Sequence, residues 1–382
     1  MLHVRRVERR EELDCLGPDW NALVDAGSPQ ALFSRFEWLR VWFEAFGSGS
    51  TPHVLVANQD GRPAGVLPLR AMSERFAGLP IRRLDFMANG HSPRADLVVR
   101  PGTEDEIAGT FAHYLQEMDL DWDLAVMPEV ESGSTLDRLH DRFPAEARLR
   151  QLQRRAPYIR LDGGDWEGFR KSLSRNFQRV LRNNRNRFAR AGASEIELLE
   201  EPEAIAAGLD DMFAIGERSW QGEEGSAVGS NDANRRFYTG LVHELGPLGV
   251  VRLWFLKLGG RRIAFELHLV HAGTEFGLKT GYDREHETLG PGRFLDQAIV
   301  EQLFVEGRVR EYDLLGNADP YKLRWTQDVR EYVRVTLFGS RVPSRMLSLW
   351  NLRLKPVLKQ ARDRARGTTA SAAVAAREGE EE

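Results

Sequence analysis

The stretch RIAFELHLVHAGTEFGLKTGYDREHETLGPGRFLDQ, Arg262 to Gln297, decides how this chain is read. Phe265, Leu267 and Leu269 alternate with Glu266 and His268, the two-residue period of a strand that puts the apolar set on one side and the polar pair on the other. A second strand spans Glu275 to Tyr282. A polar loop follows, and Gly290-Pro291-Gly292 opens a helix running from Arg293 to Glu306. Glycines where a strand hands over to a helix let backbone N–H groups and the helix dipole approach a phosphate. The same spacing also describes an ordinary tight turn, and the motif alone does not separate the two.

Working outward, Val250 to Leu258 and the turn Gly259-Gly260-Arg261 precede this unit, making a three-stranded meander. A strand at Glu311 to Leu315, a loop to Tyr321 and Lys322, and a strand at Tyr332 to Phe338 follow it. Upstream lie one long helix from Trp166 to Ala191, a strand at Ile196 to Leu199, and helices at Ala204 to Trp220 and Asp232 to Leu245 around a Gly-rich loop. The first half has a loosely similar order. Helices at Glu11 to Val24 and Ser34 to Phe46 lead into a hairpin, His53 to Asn58 and Ala64 to Arg70, about Asp60-Gly61-Arg62. Strands at Ile81 to Phe86 and Asp96 to Val99, a helix at Glu104 to Met118, a strand at Asp123 to Met127 and a helix at Thr135 to Phe143 come next. Two strands, Ala147 to Gln153 and Tyr158 to Leu161, close the set.

The expected fold class is therefore α/β (α+β), two similar halves each with a mixed, mostly antiparallel sheet flanked by helices. The expected division is 1–156, 157–340 carrying the chemistry, a basic helix at 341–366, and a disordered acidic tail at 367–382.

The 382 residues are 42% hydrophobic, which supplies material for real cores and excludes wholesale disorder. A net charge of -4 argues against a uniformly basic nucleic-acid coat. Cys15 is the only cysteine, so neither an internal disulfide nor a Cys-based metal cluster can form. Met1 to Arg10 has no apolar run of the signal-peptide kind, and no stretch reaches 18 uninterrupted apolar residues, so a cytoplasmic protein is the expectation.

Several residues carry candidate chemistry. Glu266 and His268 on one strand face read as a base pair or an amine anchor, or equally as the exposed polar face of a half-buried sheet. Asp313 ends a strand, where ligands bind in α/β folds, and Tyr321 and Lys322 follow across its loop. Tyr321 could donate a proton to a leaving group and Lys322 could neutralise a carboxylate or phosphate; taken alone, the residues read rather as Tyr321 packing with Trp325 and a solvated Lys322. Glu223, in the loop after Trp220, could recruit an amino group. Asn89 to Asp96 reads as a locally capped turn, with His91 and Asp96 as alternative cleft residues. His268 and His271 fall on opposite strand faces, so no metal is expected.

Taken together, these passages resemble the GNAT acyltransferases, whose phosphate loop reads Q/R-x-x-G-x-G/A. Here Glu287-x-x-Gly290-x-Gly292 matches except at its first position. The resemblance is closest to the bacterial Fem-like branch, where two GNAT folds are fused, and within it to the family labelled CelD-like or acetyltransferase. It is carried by Phe33-Ser34-Arg35-Phe36-Glu37-Trp38-Leu39, Ser174-Arg175-Asn176-Phe177, Glu217-Arg218-Ser219-Trp220-Gln221-Gly222, Ala264-Phe265-Glu266-Leu267, Lys279-Thr280-Gly281-Tyr282-Asp283, Pro291-Gly292-Arg293 and Tyr321-Lys322-Leu323-Arg324-Trp325. It implies an N-acyltransferase with catalytic Glu266, Tyr321, Lys322 and Asp313. Gly290, Pro291, Gly292 and Arg293 would hold the donor phosphates, and Trp220, Glu223, His268, Lys279 and Tyr282 would meet the substrate. The donor would be acyl-CoA (acetyl-CoA) or an acyl carrier protein, with no tightly bound cofactor. The acceptor would be a small-molecule amine, on a sugar or a cell-envelope precursor. The alternatives are a Fem-like aminoacyl transferase using charged tRNA and a non-catalytic module in polysaccharide biosynthesis.

Charge is unevenly placed. Arg170 to Arg190 holds eight basic residues and no acid. At helical spacing Arg175, Arg179, Arg182 and Asn186 face one way, and Leu173, Phe177, Leu181 and Phe188 the other. Arg345 to Arg366 is a second basic stretch. Repulsion among such charges favours an anionic partner: coenzyme A phosphates, an acyl carrier protein, tRNA, or an anionic membrane surface contacted peripherally.

Overall fold

A computed structural model describes residues 2–118, 122–219, 228–355 and 358. The strands are β1 (His3–Val7), β2 (Thr51–Gln59), β3 (Arg62–Phe76), β4 (Leu79–Phe86), β5 (Val98–Val99), β6 (Leu124–Glu131), β7 (Arg148–Arg160), β8 (Ser194–Leu199), β9 (Val251–Leu258), β10 (Arg261–His271), β11 (Thr274–Tyr282), β12 (Glu311–Asp313) and β13 (Val329–Phe338). The helices that matter for the site are α1 (Arg10–Asp14), α2 (Gly17–Asp25), α3 (Phe36–Phe46), α4 (Glu104–His113), α5 (Thr135–Asp141), α6 (Trp166–Ser172), α7 (Arg175–Ala191), α8 (Pro202–Glu217), α9 (Asp232–Leu245), α10 (Pro291–Glu306) and α11 (Val342–Leu349).

The strands join in one sheet in the order β1-β2-β3-β4-β6-β13-β7-β12-β11-β10-β9-β8, with β5 beside β3. Two copies of one unit are visible in it. In the first, β2, β3 and β4 form an antiparallel meander, β6 adds in parallel to β4, and an antiparallel strand closes the set. In the second, β9, β10 and β11 form the meander, β12 adds in parallel to β11, and again an antiparallel strand closes it. The closing strands are exchanged. The late strand β13 pairs with β6 of the first unit, while β7 pairs with β12 of the second, and β7 and β13 pair with each other.

The division at 156/157 therefore falls inside β7, and β13, expected within 157–340, is a strand of the first unit. The two strands expected between Ala147 and Leu161 are this single strand, which is long because it serves both units. The single helix expected from Trp166 to Ala191 is two: Leu173 is extended, and Ser174 starts α7 by accepting the Phe177 N–H at 3.2 Å. Of the basic stretch, the structure describes α11 and a turn at Trp350–Leu354, while the tail 367–382 lies outside the described residues.

One core lies between the halves. Trp38 and Trp42 of α3, Phe237 and Leu241 of α9, and Phe265, Leu267 and Phe276 of the second sheet share it. Trp38 meets Phe237 edge-on at 5.5 Å, and Phe33 meets Phe276 at 5.1 Å. On the opposite sheet face, α4 and α5 cover the first unit, and α6, α7 and α10 cover the second. No described helix is long and apolar enough to cross a membrane.

Candidate active site

The alternation that places Phe265, Leu267 and Leu269 in the shared core turns Glu266 and His268 toward α10. They are not an exposed polar face: Glu266 is 3% and His268 0% accessible. His268 Nε2 lies 2.9 Å from Glu266 Oε2, and its Nδ1 lies 2.7 Å from Glu275 Oε1. Burial alone would lower the imidazole's pKa, but hydrogen bonds and charge from Glu266 and Glu275 outweigh it and raise it to about 9. The ring is an imidazolium at neutral pH, with both nitrogens engaged. His268 is thus neither the free base nor the substrate contact expected of it; it orients Glu266. Glu275 is held in turn by Arg252 at 2.9 Å, and the Tyr312 hydroxyl lies 3.3 Å from both Glu266 Oε2 and His268 Nε2.

The other oxygen of Glu266, Oε1, is buried and takes no hydrogen bond from an amide, hydroxyl or cationic group of the described residues. Beside Glu266, from the second turn of α10, lies the carboxyl of Asp296. Burial and then the Glu266 charge hold Asp296 well above the carboxylate range. Two carboxylates cannot hydrogen-bond without a proton, so Asp296 is the protonated member and donates to Glu266. Tyr321 and Lys322 complete the group. Tyr321 is 48% exposed, and burial of its phenolic end, with the charges of Asp319 and Glu266 nearby, keeps it protonated. Lys322 Nζ donates to the Leu315 carbonyl at 2.7 Å, and burial lowers its pKa while Asp319 and Asp313 oppose that.

Gly290 takes the left-handed conformation, φ 72°, ahead of Pro291 at the first position of α10, and no side chain caps the helix. Its first-turn N–H groups are open to an anion. Asn184 of α7 fixes the loop, donating from Nδ2 to the carbonyls of Leu289 at 2.5 Å and Gly290 at 3.3 Å. The Arg293 guanidinium has no hydrogen-bond or ion-pair partner among the described residues. Burial, then repulsion by Arg324 and Arg187, pulls its pKa down, so three guanidiniums converge at the start of α10. Glu287, the mismatch in the loop motif, reaches toward the Tyr282 hydroxyl at 3.4 Å, and Tyr282 itself packs beside Gly292. The corresponding helix of the first unit, α4, begins Glu104-Asp105-Glu106, a first turn that repels phosphate.

Two expected site residues lie on the other face of the sheet. Lys279 pairs with Leu267 and so points to the shared core, where burial and then Arg154 lower its pKa to about 8. Asp313 pairs with Phe276 on that same face, and both its oxygens take the Arg94 guanidinium, at 2.8 and 3.0 Å, in an ion pair that joins the halves. It is occupied structurally. Trp220 and Glu223 lie outside the described residues. His91 N–H donates to Asn89 Oδ1 at 2.9 Å and Asp96 accepts the Leu97 N–H, which are local caps. The His91 ring also binds the Tyr238 hydroxyl of α9 at 2.8 Å and Asp96 the Leu136 N–H of α5, so the turn is tied to distant elements as well. Asp296, Asn184, Glu275 and Arg252 escaped the sequence reading. Asn184 had a signal, a polar residue on the apolar stripe between Leu181 and Phe188; Asp296 had none that spacing could supply.

Residues 175–323, which contain Glu266, His268, Arg293, Asp296, Tyr321 and Lys322, match the family model described as an acetyltransferase (GNAT) domain. No curated protein matches the chain. Among solved structures it is similar to FemX, at 12% identity and TM-score 0.58, covering 87% of this chain and 96% of that one. It is similar also to L-PGS from Bacillus licheniformis, at 13% identity and TM-score 0.51, covering 90% and 97%. A conserved protein of unknown function from Bacteroides thetaiotaomicron VPI-5482 gives 13% identity and TM-score 0.55, covering 88% and 100%. Likeness at these identities is likeness of fold.

Proposed function

We propose that the protein moves an acyl group from a phosphate-bearing thioester to an amine, a reading supported by the match of residues 175–323 to the acetyltransferase (GNAT) domain model and by the FemX-like fold. The observation that carries this reading is the Glu266–Asp296 carboxyl pair lying one helical turn from an uncapped, arginine-lined helix start. Acyl transfer needs a proton removed from the amine, a donor held in place, and a leaving group protonated.

The pair carries one net negative charge, which suits an incoming ammonium and gives its proton an acceptor in Glu266. Gly290 to Arg293, with Arg187 and Arg324, would hold the donor phosphates. Tyr321, still protonated at neutral pH, serves the departing thiolate, and Lys322 screens the charge that develops there. The donor we favour is a coenzyme A thioester or an acyl carrier protein, both of which bring a phosphate. The acceptor we favour is a small amine such as an amino sugar or another envelope precursor.

A second reading, transfer of an aminoacyl group from tRNA, is favoured by one feature. Arg175, Arg179, Arg182 and Arg190 stand exposed on α7 beside the same loop, with no carboxylate partner among the described residues. Arg170 and Arg185 are neutralised by Glu167 and Glu301, so the patch is smaller than the sequence suggests. Thermal shift separates the readings. Stabilisation by acetyl-CoA or an acyl carrier protein but not by tRNA supports the first. Stabilisation by charged tRNA alone, with binding that weakens steeply with salt, supports the second.

A further inference from the structure

Arg341 to Lys355, RVPSRMLSLWNLRLK, contains four basic residues and no acidic one. The inner side of this segment is engaged. Ser344 donates to Asp123 at 3.0 Å, Leu347 is buried with Ile81 and Phe338, and Leu352 packs on the same cluster. The outer side has no such cover. Val342, Met346, Leu349, Trp350 and Leu354 are 71%, 43%, 49%, 38% and 48% exposed. Their spacing of four, three, one and four residues sets them along one helical stripe. Trp350 meets the Phe76 ring at 6.5 Å, and Leu79, at the adjacent β3–β4 turn, is 42% exposed, so the stripe continues onto that hairpin.

An apolar surface of this extent marks an interaction site. Its rim says of what kind. Arg345, Arg353 and Lys355 are exposed without a carboxylate partner among the described residues, whereas Arg341 is paired with Asp123. A second copy of this chain would set these cations against their own counterparts across a two-fold axis, which is unfavourable. An anionic bilayer satisfies both features at once: headgroups for the cations, and the headgroup–acyl boundary for Trp350 and the aliphatic stripe. The sequence beyond Lys355 continues the same charge, with Lys359, Arg362, Arg364 and Arg366 against Asp363.

We propose that α11 and the turn following it dock the protein in the plane of an anionic lipid surface. This holds whatever the chemistry of the site in the second unit. The test uses the full chain in sedimentation with vesicles of phosphatidylcholine, alone or with a third of the lipid replaced by phosphatidylglycerol. Binding is expected to the anionic vesicles and to fall with salt. Neutralising Arg345, Arg353 and Lys355 to Gln is expected to weaken it roughly a hundredfold, at about fivefold per positive charge lost. Leu349→Ser with Trp350→Ser, at exposed positions that leave the circular dichroism unchanged, is expected to release the protein as well. Equal binding to both vesicle types, no binding to either, or wild-type binding by both variants overturns the proposal. So does a dimer in the ultracentrifuge that Leu349→Ser dissociates in a protein indifferent to vesicles.

Discussion

His268 Nε2 lies 2.9 Å from Glu266 Oε2, and because Nδ1 of the same ring is bound to Glu275, His268 has no free nitrogen with which to meet a substrate. It acts as a fixed cation that aims one carboxylate. The chain of contacts Arg252–Glu275–His268–Glu266 alternates in charge across three neighbouring strands, β9, β10 and β11, and ends at the Asp296 carboxyl on α10. In the proposed reaction only that last pair, with Tyr321, Lys322 and Arg293, belongs to the reacting side.

The pH dependence of stability follows from the imidazolium. A folded pKa of about 9 against an ordinary 6.5 means the stabilisation is fully present below pH 6.5 and lost as pH rises through 9. Its size is on the order of 3 kcal/mol. His268→Gln lacks the term, so the gap in urea-unfolding free energy between wild type and variant is expected to be widest below pH 6.5 and to narrow above pH 9. A gap that grows with pH would contradict the assignment.

Asp296 is cast as a proton donor to the Glu266 carboxylate. Asp296→Asn keeps an N–H donor of nearly the same shape, whereas Asp296→Leu leaves a buried carboxylate oxygen unpaired, at a cost of about 1–3 kcal/mol. Thermal denaturation is expected to rank wild type and Asn close together, with Leu clearly below. If Asn and Leu lose the same stability, the donor role is wrong.

The buried Arg94–Asp313 pair ties the first unit to the end of β12. Arg94→Leu strands a carboxylate and is expected to cost about 3–5 kcal/mol. Adding Asp313→Leu removes the orphaned charge and is expected to restore part of that loss. Equilibrium unfolding of the three variants checks the cycle, and strict additivity of the two losses would count against a shared pair.

The donor loop gives two separable outcomes. Gly290→Ala forces a side chain into the left-handed region and against the Asn184 amide, 3.1 Å from the new Cβ, and is expected to cost about 1–2 kcal/mol of stability. Arg293→Ala touches no protein partner, so stability is expected to hold while KM for a phosphate-bearing donor rises at least roughly tenfold. An unchanged KM would remove Arg293 from the donor site.

Local pattern carried much of this structure and long-range pairing carried the rest. Alternation at Phe265, Glu266, Leu267, His268 and Leu269 revealed which residues share a face, because strand geometry is fixed within a few residues. The cap at Gly290-Pro291 and the two sides of α7 were legible for the same reason. The exchange of β7 and β13 was not, since strand pairing between residues near 150 and 335 leaves no local trace. Neither was the fate of Asp313, whose partner Arg94 lies 219 residues away in sequence. Lys279 was misplaced although alternation argued against it: three residues from Tyr282 on β11, it points to the opposite face and pairs with Leu267 on the core side. Asp296 becomes meaningful only when α10 is laid across β10.

The central claim is that Glu266, braced by His268 and Asp296, takes the proton from an attacking amine. Single-turnover transfer to a primary amine, using the donor that stabilises the protein, tests it with Glu266→Gln. The variant is expected to bind the donor with wild-type affinity and to transfer at least about a hundredfold more slowly. Transfer by Glu266→Gln at the wild-type rate would contradict the claim.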